Sequence, residues 1–162
     1  MKRSNLLVVY LLCLLIFSGC AALNVPPSVN ATEQRLHDNY SDIKVVVDFM
    51  LKSDNETIYI DASDRMYADL EWTDINNQNI IEAIERLLRR NVYKSISKKG
   101  ENIIFLQWVG VQDIGCGIVY SNAFVDDSVI PYLTELKPLS INGWYYFIDD
   151  YELWRTGVKS SA

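Results

Sequence analysis

Histidine is all but missing from this chain: His37 is the single one among 162 residues. A zinc site built in the usual way from histidine and cysteine therefore has too few ligands to draw on. Cysteine is scarce too, at Cys13, Cys20 and Cys116. The seven glycines form no phosphate-binding loop, no dinucleotide fingerprint and no Gly-x-Ser-x-Gly elbow. Basic residues are outnumbered 15 to 21 by acidic ones, for a net charge of −6. That balance argues against nucleic acid and against an anionic lipid surface as partners, because both are held by clustered Lys and Arg. Nor does any apolar run reach the ~20 residues that a membrane-spanning helix needs.

The longest apolar run, Leu6 to Phe17, follows Lys2 and Arg3 and leads into Ser18-Gly19-Cys20. A charged start, an apolar middle and small residues at the end are the three parts of a secretory signal. The stretch resembles the signal of bacterial lipoproteins, in which the cysteine is diacylated and becomes the new N-terminus; Phe17 stands where leucine is usual. The resemblance implies a membrane anchor through lipid on Cys20 and an extracytoplasmic location. On this reading residues 1–19 are the lipoprotein signal peptide and 20–32 the lipidated N-terminus and tether. Residues 33–157 are a single domain and 158–162 a polar tail. Pro26-Pro27 and small residues keep the tether irregular, and at ~3.3 Å per residue it holds the domain within about 40 Å of the bilayer. Loss of Lys2 and Arg3 leaves 13 basic against 21 acidic side chains, a net charge of −8. Cys116 is then alone, which rules out an intrachain disulfide. Between Gly115 and Gly117 it reads as a small buried apolar residue.

Hydrophobic spacing supplies the elements. Leu36, Tyr40, Ile43, Val47 and Met50 form one stripe of a helix over 33–53, with Asn30 and Glu33 at capping-box spacing. Residues 57–60 and 66–72 read as a hairpin around a polar loop. Thr73-Asp74 caps a second helix whose stripe is Ile80, Ile84, Leu87 and Leu88. Glu82 with Arg86 and Glu85 with Arg89 support it by i,i+4 pairing. Arg86, Arg89 and Arg90 could hold an anion, but a solvated helix end complementing the dipole is the simpler reading. Residues 92–98 and 103–108 flank Lys99-Gly100-Glu101-Asn102, the clearest hairpin in the chain. Ile103 to Leu106 is apolar on both faces, as a central strand would be. Gly115 to Tyr120 is the next strand, its glycines permitting a bulge or a close backbone approach. Residues 122–142 suit a short helix or a packed loop. Trp144 to Ile148 is a strand, and Asp149 or Asp150 caps a short helix over 151–155. The expected class is α+β: an antiparallel sheet with two main helices packed mostly on one face.

The back half carries further patterns: Ile104-Phe105 with Trp108, Gly115-x-Gly117-Ile118-x-Tyr120-Ser121, and Leu136-x-Pro138-Leu139. Gly143-Trp144-Tyr145-Tyr146, Asp150-Tyr151 and Trp154-Arg155 follow. These resemble a family of uncharacterised small proteins of Firmicutes, chiefly gut Clostridia. The likeness covers the last third strongly and the front more loosely. That family has no assigned activity, so the resemblance implies a single domain and carries no catalytic residue across.

Chemistry is thin. Asp61, Asp64, Asp69 and Glu71 crowd one hairpin but lack the glycine and terminal glutamate of a calcium loop. Ser41 with Lys44 and Ser95 with Lys98 match Ser-x-x-Lys spacing without the companion motifs. Asp126-Asp127 and Asp149-Asp150 are the carboxylates a glycosidase would choose from, although adjacent residues point apart. The best surface candidate is aromatic: Trp144, Tyr145, Tyr146 and Trp154. In a strand, Trp144 and Tyr146 share one face with Ile148, and Tyr145 and Phe147 share the other. One face must be core; the other is either a stacking platform for glycan or protein, or buried as well. The expected function is a non-catalytic binding module at the cell envelope, with an envelope protein or glycan as partner and no cofactor. The rivals are a small cell-wall hydrolase using Asp or Glu, drawn from Asp113, Asp126 and Asp149, and an acidic immunity or inhibitor protein.

Overall fold

A computed structural model describes residues 25–61, 66–67, 77–110 and 114–151. Helix α1 (Val29–Asp38) starts four residues before Glu33. Ser28, not Asn30, caps it, its side chain accepting from the Ala31 N–H at 3.3 Å. Residues 29–32, expected in the tether, are the first turn, and Thr32 is fully buried. The long helix expected over 33–53 is two helices. Asn39 leaves helical geometry (φ −117°, ψ 13°) and its side-chain amide donates to the Arg35 carbonyl at 2.8 Å. Asparagine breaks the run because its short amide competes for backbone groups. Helix α2 (Tyr40–Lys52) follows, burying Ile43, Val46, Val47 and Met50. Tyr40, expected on the stripe, is exposed because it opens the second helix beside the break.

Helix α3 (Gln78–Arg89) is capped by Asn77, whose side chain accepts from the Asn79 N–H. The expected cap at Thr73-Asp74 lies outside the described residues. Its buried face is Ala83, Ile84, Leu87 and Leu88, as the spacing predicts, with Ile80 packed at the margin.

Among the described residues there are also seven strands: β1 (Thr57–Asp61), β2 (Met66–Tyr67), β3 (Ser95–Lys99), β4 (Asn102–Val109), β5 (Ile114–Tyr120), β6 (Leu133–Pro138) and β7 (Trp144–Asp150). They form one sheet in the order β2-β1-β3-β4-β5-β7-β6, every pairing antiparallel. Gly100 turns the β3–β4 hairpin with φ +59°, a conformation that costs glycine nothing. The glycines of β5 serve both expected purposes. A bulge between Leu106 and Trp108 disturbs the partner strand. A Cβ on Gly117 would sit 2.1 Å from the Phe105 carbonyl oxygen, so β4 and β5 approach each other only because glycine is there. One expectation fails: residues 133–138 are an edge strand rather than a helix or loop. Asp149 and Asp150 end β7, and the short helix expected over 151–155 lies, beyond Tyr151, outside the described residues.

The class is α+β. Ile58, Ile60, Ile96, Ile103, Phe105, Ile118 and Trp144 face the three helices and share one core with them. The other face carries a smaller cluster of Val119 and Phe147 covered by Val125, Val129 and Ile130 from the loop before β6. So β4, fourth of seven, is covered on both sides, as its doubly apolar sequence implies.

Candidate functional site

That loop, residues 121–132, builds the most distinctive surface. Its start is pinned by the Ser121 N–H, which donates to the Gly143 carbonyl at 2.9 Å. Farther on, Asp126 Oδ1 accepts from the Ser128 N–H at 2.8 Å and from its hydroxyl at 2.5 Å. The Asp126 carbonyl accepts from the N–H groups of Val129 and Ile130, both at 3.0 Å. Those turns point Val125, Val129 and Ile130 into the sheet and Phe124 out, leaving Phe124 83% exposed. Lys99 ties the loop to the β3–β4 hairpin by donating to the Ser128 carbonyl.

Beside Phe124 lies an open hollow of about 510 Å³, lined by Phe124, Val125, Leu133 and Leu136 with Asp126 and Asp127 at the rim. The two Ser128 hydrogen bonds hold the Asp126 carboxyl below its ordinary pKa, so it stays ionised. An exposed aromatic beside an apolar floor and a charged rim is the pattern of a protein-docking patch. Phe124 was missed at the sequence level because a lone phenylalanine in a loop carries no periodic signal.

The aromatic platform expected in β7 does not exist as a surface. Trp144 and Tyr146 are 3% and 2% exposed, and Trp144 belongs to the helix-facing core. Trp144 packs its ring on Phe105 and Tyr120 at centroid distances of 5.9 and 5.3 Å. Tyr146 donates its hydroxyl to the Pro27 carbonyl at 3.0 Å. Tyr145, half-buried on the other face, packs against the smaller cluster. The reason is position: β7 has a neighbour on each side, helices over one face and the loop over the other. Trp154 and Cys20 lie outside the described residues, as do Asp64, Asp69, Glu71 and Asp113.

His37, exposed on α1, accepts or donates a hydrogen bond with the Ser140 hydroxyl at 3.3 Å. Glu33, one turn earlier, accepts from the Ser140 N–H at 2.6 Å, and Ser140 depresses its pKa. Three residue types of a hydrolytic triad thus meet, but in the wrong order. A triad needs the carboxylate on the histidine, to orient it as a base; here the carboxylate serves the serine. The cluster fastens α1 to the β6–β7 turn.

The remaining candidates are held in ion pairs or buried. Arg86 binds both carboxylate oxygens of Asp42 at 2.9 Å and lies 3.5 Å from Glu82, while Arg89 pairs with Glu85. Cys116 is fully buried, and burial pushes its thiol up to about 12, far from a reactive thiolate. Asp149 is nearly buried between Gly115 of β5 and Leu133 of β6, and burial raises it to about 6. Among the described residues no group of three or more His, Cys, Asp or Glu could hold a metal ion. Among them, too, no helix is long and apolar enough to cross a membrane. No protein-family model matches the chain, and neither a curated protein nor a solved structure is similar enough to count as a match.

Proposed function

We propose that the chain is a lipid-anchored, extracytoplasmic binding module that engages another protein at the cell envelope through the Phe124 hollow. The observation that carries the reading is Phe124 itself, the most exposed large apolar side chain among the described residues, which stands beside an apolar floor. Holding an aromatic side chain in water gives up ~2 kcal/mol of burial, and a partner that covers it recovers that loss. Support for the location comes from Lys2-Arg3, the apolar run to Phe17 and Ser18-Gly19-Cys20. The resemblance of the back half to uncharacterised small proteins of Firmicutes adds no activity.

An acidic immunity or inhibitor protein would use the same surface and differ only in the partner. The test has two arms. Intact-mass analysis of membrane-extracted protein should find lipid on Cys20 and none on Cys20→Ala, which should be released in soluble form. A photo-crosslinking amino acid at position 124, in the lipidated chain in cells, should give a discrete protein adduct that the same group at exposed Glu101 does not. Soluble wild-type protein sinks the anchor; identical adduct patterns from the two positions sink the docking surface.

A further inference from the structure

The chain enters the domain on one face of the sheet, and the hollow opens on the other. Tyr146, whose hydroxyl donates to the Pro27 carbonyl, shares the helix-covered face with Trp144 and Ile118. Leu133 and Leu136, the floor of the hollow, belong to the opposite cluster. From Cys20 to Pro27 is seven residues, which at ~3.3 Å each reach about 23 Å fully stretched. A helix layer over a sheet is itself about 20 Å deep. A tether that short keeps the helix side toward the lipid and turns the hollow outward.

The rim adds a sign to that direction. Asp126 is held ionised in its turn, Asp127 is exposed beside it, and the mature chain carries −8. Lys99, whose charge acts weakly on Asp126, has its ammonium on the Ser128 carbonyl. An anionic headgroup would meet like charge here, whereas a cation beside an apolar anchor finds both of its needs met.

From these observations we infer that the hollow takes a protein segment with an apolar side chain next to Lys or Arg, offered from the side away from the bilayer. The inference rests on the docking and anchoring readings above and adds the chemistry and direction of the partner.

The test uses the lipidated, ¹⁵N-labelled chain in phosphatidylcholine nanodiscs. Two probes are titrated in: acetyl-Gly-Lys-Leu-Lys-Gly-amide and its counterpart with glutamate in place of both lysines. The amides of Phe124, Val125, Leu133 and Leu136 should respond to the lysine peptide at roughly fivefold lower concentration, the yield of one or two rim charge pairs. Asp127→Asn should narrow that preference, and Phe124→Ala should remove the response. Equal response to the two peptides overturns the cationic partner but leaves the hollow as a docking site. Response to neither overturns the docking reading as well. A spin-labelled lipid should broaden the amides of Val25 and Ser28 and spare Phe124 and Asp127. Broadening at Phe124 would put the hollow against the bilayer and overturn the direction.

Discussion

The two faces of the sheet are closed by different means. On one, three helices and five strands contribute to a cluster of seventeen buried apolar residues. On the other, a cluster of five buried residues joins Val119 and Phe147 of the sheet to three from a loop held by side-chain turns at Ser121 and Asp126. Helices cover a sheet without leaving backbone groups to satisfy, because each bonds its own. A loop must satisfy its backbone one turn at a time, so it covers less area and leaves its margin open. The helix face is therefore where stability resides, and the loop face is where a surface such as the Phe124 hollow can be maintained at little cost to the fold.

Core substitutions put that contrast to the sharpest test. Phe105 is fully buried between Tyr93 and Trp144, with ring centroids at 5.2 and 5.9 Å. Phe105→Ala should cost about 3–5 kcal/mol in denaturant unfolding. Val129→Ala, at the margin of the loop cluster, should cost about 1 kcal/mol, since the loop can settle into the space. Equal losses would mean that the two faces are one cooperative core. Next comes Gly117→Ala, which would drive a methyl group into the Phe105 carbonyl oxygen and part β4 from β5. A loss of about 2–3 kcal/mol is expected, and a neutral result would show that the central strands can slide apart freely.

Much of the helix face was legible in the sequence because periodicity reports it. Ile84, Leu87 and Leu88 recur at helical spacing, Gly100 marks the hairpin, and Ile103 to Leu106 is apolar enough to need cover on both sides. The loop face was not legible. Leu133 to Pro138 contains two charges and a proline, as an edge strand can, and its pairing with β7 is a long-range choice that no local pattern records. The aromatic run of β7 was read correctly as a strand, and of the two states left open for its second face the covered one holds. Tyr145 and Phe147 show a β-pattern whether the second face is wet or covered, and the cover comes from residues 125–130. Glu33, His37 and Ser140 meet only because α1 packs against β7, across more than a hundred residues of sequence.

A smaller effect should separate the faces by pH. Asp149 belongs to the loop face, with Oδ1 buried and without a hydrogen-bond partner. Burial raises its carboxyl from 3.8 to about 6, while the N–H groups of Gly115 and of Asp149 itself pull it partly back. A carboxyl with a raised folded pKa favours the fold while it is protonated. Its contribution is fully present below about pH 4 and is lost as pH rises through about 6. Asp149→Asn should therefore stabilise the protein at pH 7 by about 1–2 kcal/mol and leave it nearly unchanged at pH 4. Unfolding curves at the two pH values check it, and a destabilised mutant at pH 7 would mean the charge is compensated.

The smallest expected change in stability belongs to the residue with the largest expected change in binding. Phe124 is 83% exposed, so Phe124→Ala removes little packing from the folded state. Its unfolding free energy should stay within about 0.5 kcal/mol of wild type. Truncating an aromatic anchor at an interface commonly costs about 2 kcal/mol or more, or some thirtyfold in affinity. The response to the lysine peptide should therefore vanish from a protein that unfolds normally. Measuring both on one preparation makes the comparison decisive. If Phe124→Ala loses stability to the same degree as Val129→Ala, then Phe124 is part of the lid over the second face, and the hollow is a gap in packing rather than a place kept for a partner.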